Sequence, residues 1–447
     1  MMQGLKKILL PDKVAGILKR LNAAGYEAWA VGGCVRDSLI GRVPGDWDIT
    51  TSATPQEIKA VFRRTVDTGI AHGTVTVMLG DNGFEVTTYR LDGGYSDGRH
   101  PDSVSFSKTL AEDLKRRDFT INAMAYHPEL GLVDLFGGQE DLAAGVIRAV
   151  GDPMARFEED ALRILRALRF SAQLGFTVEE NSFAALSHFA PRLKLVSQER
   201  IREEFVKLLV SPHPEKLDEL RRCSITAVIF PQWDVLTDTP QNTPYHDITV
   251  GEHTLRALRL VEAAPVLRLA VLLHDIGKPA CRQTDAEGVD HFTGHAAVSA
   301  EMAEAFLREL KFDNDTIRRV CLLIREHCAC FVPDAVTLRH MLARIGEEAF
   351  PDYLKLLEAD NRAKSDLAWQ DFSPRFDALL KCYREWQDRR DCISLKELAV
   401  KGKDLMAAGV KPGPELGRQL NILLEDVLNE PAHNTKEYLL GLLEGRG

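Results

Sequence analysis

Asp46 and Asp48 flank Trp47 in the stretch GGCVRDSLIGRVPGDWDIT. On an extended segment, residues two apart project from the same face, about 7 Å from one another along the strand. Two bare carboxylates in that position repel. A divalent cation between them removes the cost, and Mg²⁺ is commonly held by one or two carboxylates together with substrate phosphates. Upstream, Gly33 in the Gly32-Gly33 pair lets the backbone approach phosphate oxygens, and Arg36 is placed to neutralise them. Glu85 in FEVTTYR alternates correctly to offer a third carboxylate from a neighbouring strand. An isolated Asp-x-Asp is more often a pair of ordinary surface acids. The glycines, Arg36 and Glu85 together favour the metal.

A second group lies in EEDALRILRALRF. Read as a helix, it puts Asp160 and Arg163 at i and i+3 on one face. A carboxylate accepts and a guanidinium donates, so the pair can meet the Watson–Crick edge of a base. Arg166 lies about 60° further round and can reach phosphates, while Arg169 is roughly opposite Asp160. The plain alternative is an amphipathic helix with a salt bridge, packed through Leu162, Leu165 and Leu168.

A third group spans residues 246–366: His253, adjacent His274 and Asp275, His295, His327 and Asp360. Imidazole mixed with carboxylate suits Mn, Ni, Fe or Zn better than Ca. The set is large enough for one metal and for a second. The competing reading is residual sequence that binds nothing.

These groups need elements to position them. A chain of 447 residues exceeds one hydrophobic core, so two to four domains are expected. With 45% hydrophobic and 27% charged residues, the composition is that of a soluble globular protein. The net charge of -10 argues weakly against a nucleic-acid partner, so a polyanion must be met by local clusters such as Lys115-Arg116-Arg117. MMQGLKKILL is too short in its apolar run for a signal or a membrane span. Eight cysteines without a CxxC pair read as reduced thiols of a cytoplasmic protein.

Residues 1–150 mix two periods. LPDKVAGILKRLNAAG is helical up to Gly25, and TPQEIKAVFRR carries a capping box at Thr54 and Glu57 with Pro55 at the first position. YEAWAVGG, DWDITTS, GTVTVML and FEVTTYRL read as strands, the last two joined by a GDNG hairpin. Beyond about residue 155 the period is helical, interrupted at 231–244, which reads as a linker.

The stretch GGCVRDSLIGRVPGDWDITTSATP resembles the signature of class II tRNA nucleotidyltransferases, the CCA-adding enzymes of the polymerase-β superfamily. GIAHGTVTVM, YSDGRHPDSVSF, LKRRDFTINAMAY, DLFGGQEDL, EEDALRILRALRF and SQERIREEF extend the likeness, in order, over about residues 28–210. It implies an α+β protein: a small mixed β-sheet nucleotidyltransferase head (1–150), an all-α neck (151–235), an HD-type body (236–370) and a helical tail (371–447). It further implies two-metal catalysis with Mg²⁺ on Asp46 and Asp48, CTP and ATP as substrates and the tRNA 3′ end as acceptor. Asp160 and Arg163 become a protein template for C and then A, with Glu159 steadying Arg163. Arg117 becomes a nucleotide contact, Asp118 and Asn122 ribose or turn residues, and Arg169 a contact to tRNA or to another element.

GGYSDGRHPDSVSFSKT resembles the flexible loop of enzymes that complete CCA. TGIAHGTVTVM lacks the basic stretch of bacterial poly(A) polymerases, the alternative within this superfamily. VLLHDIGKP resembles the HD phosphohydrolase motif, implying a metal held by His253, His274, Asp275, His295, His327 and Asp360, and phosphoester hydrolysis. A hydrolase with an RNA-binding head is the reading from another class. SLKELAVKGKDLMAAGVKPGPELGRQLNILLE resembles the tail on which the acceptor–T arm docks. No membrane association is expected.

Overall fold

The computed structural model describes residues 7–92, 104–107, 109–246, 248–328 and 331–444. They divide into two compact units, Met1–Asp234 and Val235–Gly447. Most of the loop expected to complete CCA addition, within 93–109, lies outside the described residues.

The first unit opens on the helix Asp12–Ala23, whose buried face is Val14, Ile17, Leu18 and Leu21. Its chain then turns at Gly25, whose φ of +89° suits a residue without a side chain. The strands in chain order are β1 (Ala28–Val31), β2 (Ile49–Thr51), β3 (Thr65–Gly69), β4 (Thr74–Leu79), β5 (Asn82–Thr88), β6 (Arg90–Asp92), β7 (Val104–Phe106), β8 (Met124–His127) and β9 (Gly131–Asp134). Seven of them form one sheet in the order β3-β4-β5-β2-β1-β8-β9, and β6 pairs with β7. β2 and β5 run parallel, with Ile49 opposite Val86, and the other neighbours in the sheet are antiparallel.

β1 is central and buried at all four positions because both sheet faces are covered. Alternation sends Ala28 into the core under the first helix, with Ile49, Val75 and Val86. Trp29 and Val31 point the other way, to Tyr89, Leu114 and Ala125. The capping box at Thr54 and Glu57 forms as expected, starting the helix Pro55–Val61.

From Pro153 the unit is mainly helical. The helix Leu162–Leu174 is buried on nearly every side and packs on Gln198–Leu209. The stretch expected as a linker is not one at its start: Pro231–Asp238 is a helix, and Trp233 in it is fully buried and stacked on Phe230. Pro231 at the first helical position and that apolar anchor outweigh the polar residues that suggested a loop.

The second unit is helical, with one short hairpin of Gln283–Thr284 against Asp290–His291. The border expected at 370/371 falls inside one continuous helix, Asp366–Arg389. Arg339 donates to the carbonyls of Leu428 and Asn429 and pairs with Asp391, so the last helices pack onto those before them.

Candidate active site and candidate metal centre

Asp46 and Asp48 do not sit within a regular strand. Both precede β2, Asp48 by one residue. The Asp48 carbonyl still accepts from Val31 N at 3.0 Å, so the chain there is already aligned beside β1. Asp46, Asp48 and Glu85 line one cleft of about 380 Å³ with Gly45, Trp47, Asn82, Gly83 and Phe84. The parallel β2–β5 register is what brings Glu85 to that cleft. Burial holds the Asp48 carboxyl above its usual range, Arg117 opposes this, and repulsion from Asp46 and Glu85 adds to it. A half-buried carboxylate raised by desolvation and further by two neighbouring acids is a site with a deficit of positive charge. The residues fit a divalent cation.

Gly32 has φ +80°, and a Cβ there would come within 2.9 Å of Arg117 Nη1. The glycine therefore makes room for the guanidinium beside Asp48. Arg36 is not the free phosphate ligand expected. It is buried, donates from Nη1 to Asn122 Oδ1 at 2.7 Å, and pairs with Asp37 at 2.8 Å. Asn122 Nδ2 in turn donates to Asp118 Oδ1, and Arg166 donates from Nε and Nη2 to Asp118 Oδ2 at 2.8 and 2.6 Å. Arg166 is thus engaged by protein rather than held open for phosphate. Arg169, nearly buried, pairs with Glu204 at 2.5 Å and faces the neighbouring helix. Arg36, Arg166 and Arg169 all lie within cation–π distance of the Phe170 ring, at 5.0, 5.5 and 3.8 Å.

Asp160 and Arg163 do not share a helical face. Asp160 has extended φ and ψ and ends the helix Pro153–Glu159, and the next helix starts at Leu162. Its Oδ1 accepts from Leu162 N at 2.9 Å, a local side-chain-to-backbone bond of the kind that draws aspartate out of helix interiors. Its other oxygen faces Arg200 at 3.3 Å. Arg163 Nη1 donates to Glu159 Oε2 at 2.5 Å, the steadying contact expected, and to the Arg156 carbonyl, while Nη2 donates to the Arg116 carbonyl.

In the second unit all six expected ligands converge. His253, His274, Asp275 and Asp360 form one group and His295, His327 and Cys328 another, the ligand atoms of each lying within 4.8 Å. His274 Nε2 is 3.2 Å from Asp275 Oδ2 and 3.5 Å from Asp360 Oδ1, and His253 Nε2 is 3.0 Å from Asp360 Oδ1. The second Asp275 oxygen, Oδ1, lies 3.2 Å from His295 and 3.6 Å from His327. Asp275 therefore faces both groups.

Helix ends set the imidazoles. Nδ1 of His274, His295 and His327 each meets the backbone carbonyl three residues earlier, at 2.7, 2.7 and 2.6 Å. A proton on Nδ1 leaves Nε2 as the free lone pair, the orientation that metal-binding histidines need. His253 Nδ1, His274 Nε2 and both Asp275 oxygens are buried without a hydrogen-bond partner. Lys278 Nζ lies 2.7 Å from Asp275 Oδ2 but out of line for a hydrogen bond, and Lys364 Nζ bonds Asp360 Oδ2 at 2.9 Å. Burial opposes a charge on His274, yet Asp275 and Asp360 outweigh it and raise the ring to about 9, so without a cation the same acids hold a proton on Nε2. Fixed tautomers and orphaned buried atoms fit a cation. Cys328 was not foreseen, although it directly follows His327.

A mixed sheet carrying an acid-lined cleft, followed by helices, fits a nucleotidyltransferase, and likeness to known proteins gives that class. A family model described as "Poly A polymerase head domain" matches residues 28–148. Models for "Probable RNA and SrmB- binding site of polymerase A" and tRNA nucleotidyltransferase domain 2 match 175–236 and 283–443. A CCA-adding enzyme of Lactobacillus helveticus is 35% identical over 438 residues, 97% of this chain and 98% of its own. One from Latilactobacillus sakei is 38% identical over 430 residues, 95% of each chain. The solved Bacillus stearothermophilus CCA-adding enzyme in complex with CTP matches with a TM-score of 0.75 and 31% identity, over 98% of both chains. The chain belongs to the family of CCA-adding enzymes. No helix among the described residues is long and apolar enough to cross a membrane.

Proposed function

We propose that this chain adds CCA to the 3′ end of tRNA from CTP and ATP, with catalysis at Asp46 and Asp48. The observation that carries it is the cleft shared by Asp46, Asp48 and Glu85, in which burial and the neighbouring acids raise the Asp48 carboxyl. Asp46 and Asp48 would hold divalent cations, Mg²⁺ by the chemistry of all-oxygen ligands, which would supply Lewis acidity for the attacking 3′ hydroxyl and the leaving pyrophosphate. Glu85 adds negative charge at the cleft wall. Gly33 lets the backbone approach the triphosphate, and Arg117 supplies its positive charge. Asp160 and Arg163 read the incoming base, Arg163 held by Glu159. Arg36, Arg166 and Arg169 act one step back, as the frame that fixes the helix bearing Arg163.

The organisation that serves this is a head, a neck, a body and a tail, with the tail as the docking surface for the acceptor arm. Likeness to CCA-adding enzymes over nearly the whole chain favours this reading over a poly(A) polymerase. The test is incubation of tRNA ending at the discriminator base with CTP and ATP, followed by sequencing of the products. Asp46→Ala and Asp48→Ala are each expected to abolish CMP and AMP incorporation while the protein stays folded and binds tRNA. Near-wild-type incorporation by either variant overturns the assignment.

A second activity is favoured by the cluster of His253, His274, Asp275, His295, His327 and Asp360, of which all but His295 are buried. It is metal-dependent phosphoester hydrolysis with Mn, Ni, Fe or Zn, as the mixed imidazole and carboxylate ligands suit.

A further inference from the structure

The two ligand groups of the second unit differ in chemistry. The first offers only nitrogen and oxygen, from His253, His274, Asp275 and Asp360. The second adds a sulfur. Cys328 Sγ lies 3.2 Å from His295 Nε2 and 3.0 Å from His327 Nε2, and those two nitrogens are 3.3 Å apart. Asp275 Oδ1 completes the set at 3.2 and 3.6 Å from the same nitrogens. Metal–ligand bonds of about 2.0–2.3 Å at tetrahedral angles place ligand atoms roughly 3.3–3.6 Å apart. The five separations above, 3.0–3.6 Å, lie at or just below that range.

A cysteine beside two histidines is not by itself a site. Here Asp275 is buried to 1% exposure, its Oδ1 has no hydrogen-bond partner, and that atom points at both histidines. The backbone bonds at Nδ1 of His295 and His327 turn Nε2 of each toward the same centre. Cys328 stands at the exposed side of the group, and His327 beside it is buried.

We infer that Cys328 is a metal ligand, completing with His295, His327 and Asp275 an N₂SO position for a thiophilic cation such as Zn²⁺. This rests on the reading of the histidine cluster as a metal centre and specifies its second position. Asp275 bridges the two positions, one oxygen to each. Thiolate is a soft ligand that favours zinc over the oxygen-seeking Mg²⁺, so the two halves of the centre differ in the ions they retain. A bound ion also shields the sulfur, which otherwise is an accessible nucleophile.

The experiment uses the full chain and its Cys328→Ser variant, both checked by circular dichroism. Cobalt(II) replaces zinc as a coloured probe. The wild type is expected to show a near-ultraviolet thiolate-to-cobalt charge-transfer band that Cys328→Ser lacks, while the variant keeps cobalt at the nitrogen–oxygen position. Zinc titration is expected to show one ion weakened at least about tenfold, the lower bound set by the loss of even an outer partner. Added zinc is expected to slow iodoacetamide labelling of Cys328, located by peptide mass spectrometry. A wild-type protein that binds cobalt without the band, or whose Cys328 labels at the same rate with and without zinc, overturns the role of Cys328 and leaves the centre standing. A wild-type protein that binds neither cobalt nor zinc overturns both.

Discussion

Arg166 grips one carboxylate oxygen of Asp118 with two hydrogen bonds, at 2.8 and 2.6 Å. This single contact fastens the helix Leu162–Leu174 to the turn after Arg117, and with Asn122 it extends to Arg36. Arg36, Asn122, Asp118 and Arg166 are therefore held in one hydrogen-bonded frame.

Asp118→Asn is expected to destabilise the first unit by about 1–3 kcal/mol. Breaking a fully buried pair costs more, but Arg166 retains 34% side-chain exposure, which screens the interaction. Burial raises the Asp118 carboxyl, and Arg166 more than offsets it, leaving the group well below the usual carboxylate range. A depressed acid stabilises the fold above its unfolded pKa of about 4, and the contribution fades as pH falls through the folded value. Urea unfolding at several pH values should show wild type and variant far apart near neutrality and converging in acid.

Gly32→Ala is expected to lower kcat/KM for CTP and ATP by about tenfold or more. The new Cβ would meet Arg117 Nη1 at 2.9 Å, on a backbone at φ +80° that alanine adopts poorly. A displacement of about 1 Å at a reacting site is enough for such a loss. Steady-state kinetics with both nucleotides check it, and unchanged constants would mean that Arg117 does not act from this position.

Asp160→Asn keeps the oxygen that accepts from Leu162 N but exchanges an acceptor for a donor at the base edge. Selection of CTP and ATP over UTP and GTP is expected to fall by about 1–3 kcal/mol, or roughly 5- to 150-fold. Binding of tRNA should not change. Incorporation measured with all four nucleotides decides it, and intact selectivity would leave Asp160 as a helix cap and a partner of Arg200.

The double variant His274→Ala/Asp275→Ala is expected to lose its transition metal and any phosphoester hydrolysis, while CCA addition continues. The ligands at the two sites differ in kind, carboxylates alone against imidazole with carboxylate. Metal content by mass spectrometry and both activities on one preparation provide the check. Loss of CCA addition in a protein still folded by circular dichroism would show that the sites are coupled.

Local chemistry was legible without coordinates. The capping box at Thr54 and Glu57, the stop at Gly25 and the alternation of β4 and β5 follow from residue preferences over a few positions. The family was legible too, because its motifs are short and their residue types are unusual together. The same reasoning misjudged Asp160, where a side-chain bond to the backbone overrode helical periodicity, and 231–238, where burial of Trp233 overrode polar composition. Tertiary packing alone decided the partners. Whether Arg36 and Arg166 meet phosphate or protein depends on Asn122 and Asp118, far off in the chain. His253 and Asp360, 107 residues apart, meet because two distant helices pack. Periodicity places a side chain on its own helix, and only the packing of helices determines what stands opposite. That is why the six side chains could be grouped from sequence, while the two-sided Asp275 and the nearness of Cys328 to His295 became visible only in the folded chain.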